Sequence, residues 1–404
     1  MAEPDGVVIT GLGLVLPHGV GLRAADAVFA GTSAVRRLPE IRGVPDAAGA
    51  AVRDFTPPVG TENADRATQF AVAAADEARL GARLGENGPP PNRIATILSL
   101  SKGGVFALAR CAAGRINGDF LAAATPDAAA RTVAARFGLT GPLGSPMTAC
   151  ASGGHALLWG ATLVARGVVD AAIVGAAEAS LHPLILGSYR RMGVLAPPGE
   201  DPATSVRPFS ATRRGFAVGE GAGVLVLESG ASAARRGTKP LAVVRGWAAG
   251  CHAAGMTDME EGGPTLARLI GEALRRAGAR PDEVDYVHAH GTATAANDLA
   301  EAQAIRAALG AASDKISLSS TKASHGHLLG AAAAVELVLT VLAIERRLVP
   351  PTANLTDPDP AIRLDCTPLR ARPRPIRCAV KIASGFGGQM LALVLAKPGV
   401  PAAR

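Results

Sequence analysis

The sequence predicts an α/β fold, and three observations carry that prediction. Short apolar runs of strand length alternate with longer runs of helical period along the whole chain. Glycine- and proline-rich stretches punctuate them. The chain has 404 residues and is 48% hydrophobic, enough for one large domain or two fused ones around a sizeable core.

Strands are expected over residues 6–14, 94–100, 171–175, 223–228, 241–249 and 391–396, with two more ending at 289 and 320. Helices are expected over 65–81, 126–137, 154–166, 264–277 and 299–309. Thr125 is the expected N-cap of the second helix, with Pro126 in its first turn, where a missing N–H costs nothing. Gly278 and Gly310 suit the ends of the last two. Residues 85–91 and 196–202 read as loops. Residues 231–240 are small, basic and poorly periodic, and divide the chain into halves, 1–235 and 236–404. Val7 to Gly13 and Val243 to Gly250 resemble each other weakly, as the two copies of a duplicated unit would.

Composition excludes several classes. No charged segment followed by an apolar one opens the chain, which argues against export. The longest apolar run, 328–344, contains Glu336 and is short for a membrane span, so it reads as a buried helix. The five cysteines, Cys111, Cys150, Cys251, Cys366 and Cys378, are scattered and odd in number. They suit neither a metal site nor a disulfide framework, and they fit a reducing cytoplasm. The net charge of +7 favours an acidic partner, but aromatics are only 3% and no basic run interleaves with them, which argues against nucleic acid.

Three segments carry chemistry. In Met147-Thr148-Ala149-Cys150-Ala151-Ser152-Gly153-Gly154 an apolar stretch runs into a cysteine and a helical pattern leaves it. This reads as strand, sharp turn and helix, with the thiol at the helix N-terminus. Unpaired amides and the helix dipole there favour the nucleophilic thiolate. A buried cysteine is more often an inert core residue, so the other two segments matter. His288-Ala289-His290-Gly291-Thr292-Ala293-Thr294 and Thr321-Lys322-Ala323-Ser324-His325-Gly326-His327 each leave a strand end and turn through glycine into a helix. Sites form at such places in α/β folds. A cysteine with two histidines there is a nucleophile-plus-imidazole set.

In these segments the chain resembles the β-ketoacyl-(acyl carrier protein) synthases, the elongating condensing enzymes of fatty acid and polyketide assembly. The resemblance runs from Val8-Ile9-Thr10-Gly11-Leu12-Gly13 through Arg207-Pro208-Phe209, Arg213, Gly215-Phe216 and Gly219-Glu220-Gly221-Ala222-Gly223. It continues to Pro350-Pro351-Thr352-Ala353-Asn354-Leu355 and Gly385-Phe386-Gly387-Gly388. It implies the thiolase-type fold, two similar halves in five layers, and usually a dimer, of two copies or with a chain-length-factor homologue. It implies an acidic acyl carrier protein as partner. That carrier brings its own phosphopantetheine, so no cofactor or metal is expected.

The resemblance also assigns roles. Cys150 is the nucleophile that holds the acyl chain. His290 and His327 stabilise the enolate left when a malonyl thioester loses carbon dioxide. Lys322 and Glu336 pair behind them, Asp298 and Glu301 are network residues, and His288 and His325 are structural. Gly385, Phe386, Gly387 and Gly388 form a gating loop whose Phe386 amide joins that of Cys150 as oxyanion donor. Thr292 and Thr294 line the substrate path, and Lys102 stands where an apolar tunnel gate is usual. Ser384 and Gln389-Met390 also depart from the common pattern. Two other functions share the fold: a thiolase-like acyltransferase, and a non-catalytic chain-length subunit. The two histidines argue against the first and Cys150 against the second.

Overall fold

The computed structural model describes residues 6–85, 87–115 and 120–401. Its strands are β1 (Val7–Leu16), β2 (Ile94–Leu100), β3 (Leu143–Gly144), β4 (Ala171–Glu178), β5 (Gly221–Ser229), β6 (Ala242–Cys251), β7 (Tyr286–His288), β8 (Ser317–Ser319), β9 (Cys378–Gly385) and β10 (Gln389–Ala396). The main helices are α1 (Arg66–Gly81), α2 (Ala128–Phe137), α3 (Ser152–Ala165), α4 (Pro264–Ala277), α5 (Ala295–Leu309) and α6 (Ala332–Arg346).

These strands form one sheet in the order β8-β7-β9-β10-β6-β1-β5-β4-β2-β3. Read outward from its centre, each half has the same order: first strand, fifth, fourth, second, third. The directions repeat too. The first, fifth and fourth strands are antiparallel neighbours, while the second and third run parallel to the fourth. Even the irregularities repeat, with a register shift between Ile9 and Gly11 in β1 and between Val244 and Gly246 in β6. Each shift delivers a glycine to a helix. A Cβ on Gly11 would lie 2.1 Å from the Ala78 carbonyl of α1, and one on Gly246 would lie 2.4 Å from the Ala273 carbonyl of α4. Only a bare backbone lets helix and strand approach this closely.

The layers follow from burial. Helices α1 and α2 cover the outer face of the first-half strands, and α4, backed by α5, covers that of the second. Between the halves, α3 and α6 pack on each other and on both sets of strands. A helix enclosed in this way must be apolar all round, and α6 is buried from Ala332 to Ile344. The expected five-layer arrangement of two similar halves is the one observed.

Several local expectations fail. Thr125 is not the N-cap: α2 starts at Ala128 with Asp127 before it, and the Ala128 N–H reaches the Thr125 carbonyl at 3.1 Å. The strand leading to Cys150 is only Leu143–Gly144, because Pro146 lacks the N–H a ladder needs. The segment 231–240, poorly periodic in sequence, begins within a short helix, Gly230–Arg235, which leaves the division into halves there untouched. Strand β9 has no counterpart among the expected strands, since Lys381 interrupts its apolar run.

Candidate active site

Cys150 lies in a single 3-10 turn, Ala149–Ala151, that feeds directly into α3. Ala149 has φ 48, a left-handed conformation that costs a non-glycine residue about 1–2 kcal/mol. Ser152 holds it: the Thr148 N–H donates to Ser152 Oγ at 2.9 Å, and that hydroxyl donates to the Ala149 carbonyl at 2.7 Å. Across the turn lies the hairpin joining β9 to β10. A Cβ on Gly385 would sit 2.7 Å from the Thr148 carbonyl and 3.2 Å from the Cys150 nitrogen. Glycine there lets the hairpin backbone press on Cys150, and the Phe386 N–H hydrogen-bonds the thiol.

The sequence expectation of a lowered Cys150 pKa does not hold for this site. Burial pushes the thiol up to about 11; Lys102 and Lys322 pull it down, Glu178 pushes it up, and the Phe386 amide pulls it down. The net rise corresponds to roughly 2–3 kcal/mol. A helix N-terminus ordinarily returns about 0.3–1 kcal/mol. The resting thiol is therefore protonated at neutral pH.

Strand β7 ends at His288, and the chain turns at His290-Gly291. Glu301 on α5 fixes that turn, accepting the His290 N–H at 2.5 Å and the Gly291 N–H at 2.8 Å. Burial pushes Glu301 up to about 7. Asp298, one turn earlier, accepts the amides of Phe209 at 2.9 Å and Ala293 at 3.2 Å. Both carboxylates thus shape the loop.

His327 follows β8 through the short helix Lys322–His325 and the turn at Gly326. Its Nδ1 accepts the Leu329 N–H at 3.3 Å, which puts the imidazole proton on Nε2. The rings of His290 and His327 stand edge to face with centroids 5.5 Å apart, and Phe216 packs on His327 at 4.9 Å. Burial first, and Lys322 next, hold both imidazoles well below the ordinary histidine range. They are neutral donors at physiological pH. His290 Nδ1 is buried with no protein partner.

Lys322 and Glu336 are both fully buried and pair at 2.5 Å. Lys322 also donates to the His290 carbonyl. Lys381, which the sequence reading missed, reaches the other carboxylate oxygen at 2.7 Å. Burial alone would push Glu336 up, but the two lysines outweigh it and hold the carboxyl well below its usual range. A lysine inside Cys378-Ala379-Val380-Lys381-Ile382-Ala383 was the available signal.

Cys150, His290 and His327 share a cavity of about 340 Å³, with Thr292, Thr294, Ser384, Gly385 and Phe386 in its wall. Gly387 and Gly388, both at positive φ, form the turn behind Phe386. Lys102 is not in that wall. Its ammonium sits 3.3 Å from Glu178 and 2.8 Å from Ser101 Oγ. Glu178, also missed, accepts the Gly330 N–H at 3.0 Å, tying β4 to the turn that follows His327. His288 and His325 engage both ring nitrogens with protein partners, Thr340, Thr321 and the Gly326 carbonyl among them. Among the described residues no cluster of side chains could hold a metal ion, and no helix is long and apolar enough to cross a membrane.

Known proteins resemble the chain in both of its halves. The β-ketoacyl synthase N-terminal domain matches residues 5–233 and the C-terminal domain residues 241–356. The tetracenomycin polyketide synthase ketoacyl synthase alpha subunit of Streptomyces glaucescens is 35% identical over 97% of this chain and 97% of its own. The 3-oxoacyl-(acyl-carrier-protein) synthase 2 of Synechocystis sp. is 34% identical over 98% of this chain and 99% of its own. Among solved structures, a type II polyketide acyl-carrier protein in complex with its ketosynthase bound to the hexaketide offers a chain that superposes with a TM-score of 0.91. That chain is 32% identical, with 98% of this chain and 100% of that one covered. Matched in both halves and along its length, the protein belongs to the β-ketoacyl synthase family, the acyltransferases that extend polyketide and fatty acid chains.

Proposed function

We propose that Cys150, His290 and His327 divide a decarboxylative Claisen condensation between them. In the first half-reaction the Cys150 sulfur attacks the thioester carbonyl of an acyl-carrier protein. The new S–C bond replaces the carrier's, and the thiol proton leaves with the carrier's phosphopantetheine sulfur. The amides of Cys150 and Phe386 stabilise the tetrahedral oxyanion. In the second, a malonyl-carrier protein loses carbon dioxide and the C–C electron pair becomes an enolate. The imidazole N–H groups hold its oxygen. The enolate carbon attacks the acyl-cysteine, the Cys150 sulfur leaves and takes up a proton, and a β-ketoacyl-carrier protein departs.

The observation that carries this reading is the pair of neutral, buried imidazoles beside one thiol, with the His327 proton assigned to Nε2. A neutral N–H donor suits a developing enolate. Phe386 gates the cavity on its glycine hinge, and Thr292 and Thr294 lie along the phosphopantetheine path. The steps as written require no metal or bound cofactor, and a reducing cytoplasm keeps the thiol free.

The partners follow from charge and exposure. The net +7 suits an acidic acyl carrier protein. At the free edge of the sheet, Leu143, Met147 and Trp159 are 40%, 53% and 42% exposed. An apolar edge of this kind suits a second ketosynthase-like subunit, either another copy or a chain-length homologue.

The test is His327→Ala. Acylation of Cys150, followed by mass spectrometry of the intact protein, should persist, while carbon dioxide release from malonyl-carrier protein falls about 100-fold or more. Equal loss of both would make His327 the base that activates the thiol and would end this division of roles.

A further inference from the structure

The charge cluster behind the imidazoles is unbalanced. Lys322, Lys381 and Glu336 are all fully buried, and the one carboxylate serves both ammonium groups. Three successive carbonyls are held by this pair of lysines. Lys381 Nζ donates to His288 at 3.3 Å and Ala289 at 3.1 Å, and Lys322 Nζ to His290. Lys381 also donates to the carbonyl of Ile382. An apolar side chain would suit the middle of a buried strand without desolvating a charge. An ammonium there costs several kcal/mol that pairing must return. Lys322 with Glu336 would already be neutral; Lys381 makes the cluster cationic.

We propose that Lys381 is a positioning residue for the decarboxylation step: it fixes the strand end that carries His290 and places a second positive charge behind that imidazole. This rests on the division of roles given above. Several other titratable groups surround His290. His288 lies two residues back on the same strand, and His327 stands across the cavity. Lys322 and Glu336 lie behind, while Asp298 and Glu301 approach from α5. Lys322 is matched by Glu336, and the two α5 carboxylates are engaged with backbone amides, although Glu301 also favours the charge on Lys381. Lys381 is therefore the charge whose removal changes the balance. A cation near an imidazole disfavours the imidazolium, and Lys381 acts on His290 in that sense. Without it His290 protonates at a higher pH than in the wild type, while burial and Lys322 still favour the neutral ring.

The experiment compares the two half-reactions in Lys381→Met and Lys381→Arg, using malonyl-carrier protein and an acyl-carrier donor. For Lys381→Met, carbon dioxide release should fall about tenfold or more, with acylation of Cys150 within twofold of wild type. The acid limb of the decarboxylation profile should move to higher pH. In Lys381→Arg the limb should stay at the wild-type position, because the charge is kept. If Lys381→Met does not fold, Lys381→Gln keeps donors for the carbonyls while losing the charge, and should show the same limb shift. An unmoved limb in the neutral variant, or equal loss of both half-reactions, overturns the proposal. That failure is separable from failure of the parent reading. If His327→Ala still splits the half-reactions while the Lys381 limb does not move, only the role of Lys381 is wrong.

Discussion

Glu336→Gln isolates what the buried charge cluster contributes to stability. The substitution keeps the shape of the side chain and removes the one anion that two fully buried ammonium groups share. Breaking a buried pair from one side costs about 3–5 kcal/mol, mostly the penalty on the charge left behind. Here two charges are left, so the cost should reach or exceed the top of that range near neutral pH. It is also bounded. A stranded lysine can give up its proton, which at pH 7.5 costs about 4 kcal/mol from an ordinary pKa near 10.4. That escape becomes easier by about 1.4 kcal/mol for each pH unit gained.

The sign follows from proton counting. In the variant the folded state binds fewer protons than the unfolded chain, so its stability rises with pH until the unfolded lysines also titrate. In the wild type Glu336 is held well below the usual carboxyl range. Its contribution is present above the unfolded carboxyl pKa and lost only as pH falls through the lower, folded value. The gap between the two proteins should therefore be widest near pH 7 and shrink toward pH 10. Urea unfolding midpoints at several pH values measure it, with the slope checked for constancy. Adding Lys381→Met to Glu336→Gln removes one stranded charge and should restore part of the loss. A gap below about 1 kcal/mol, or one that is constant from pH 7 to 10, would refute the argument that desolvation dominates here.

Two further outcomes follow from the site. Iodoacetamide at pH 8 should reach the exposed Cys251 before the buried Cys150, whose thiol burial pushes up to about 11. Cys150 labelling should still be climbing above pH 9, and peptide mapping with Cys150 modified first and a plateau near pH 7 would show a thiolate instead. Lys102→Ile removes the partner of the nearly buried Glu178 and loosens the Gly330 turn after His327. It should lower turnover with saturated and polyunsaturated acyl-carrier proteins of equal length alike, and a change in the ratio between them would make Lys102 a selectivity element.

The local vocabulary of this protein is written in its sequence. Helix α4 begins at Pro264 and ends at Ala277 before Gly278, as its apolar period and terminal residues predict. The turns that present Cys150, His290, His327 and Phe386 are legible because each sets small residues beside one larger side chain. Their spacing along the chain names the family. Weak likeness between two short segments also foreshadows the repeated strand order, since a helix packed tightly on a strand demands glycine in both halves.

Other features belong to the tertiary structure, and all concern burial. Whether Cys150 rests as thiol or thiolate depends on how much water its cavity excludes, and the helix N-terminus alone gives the opposite sign. Lys102 stands at a tunnel-gate position in the sequence, and only the fold brings Glu178, distant in sequence, against it. Lys381 breaks an apolar run and hides a strand, and its meaning appears only where β9 pairs alongside β7. A charge in a sequence has no environment; packing gives it one, and desolvation then decides which partner it must have.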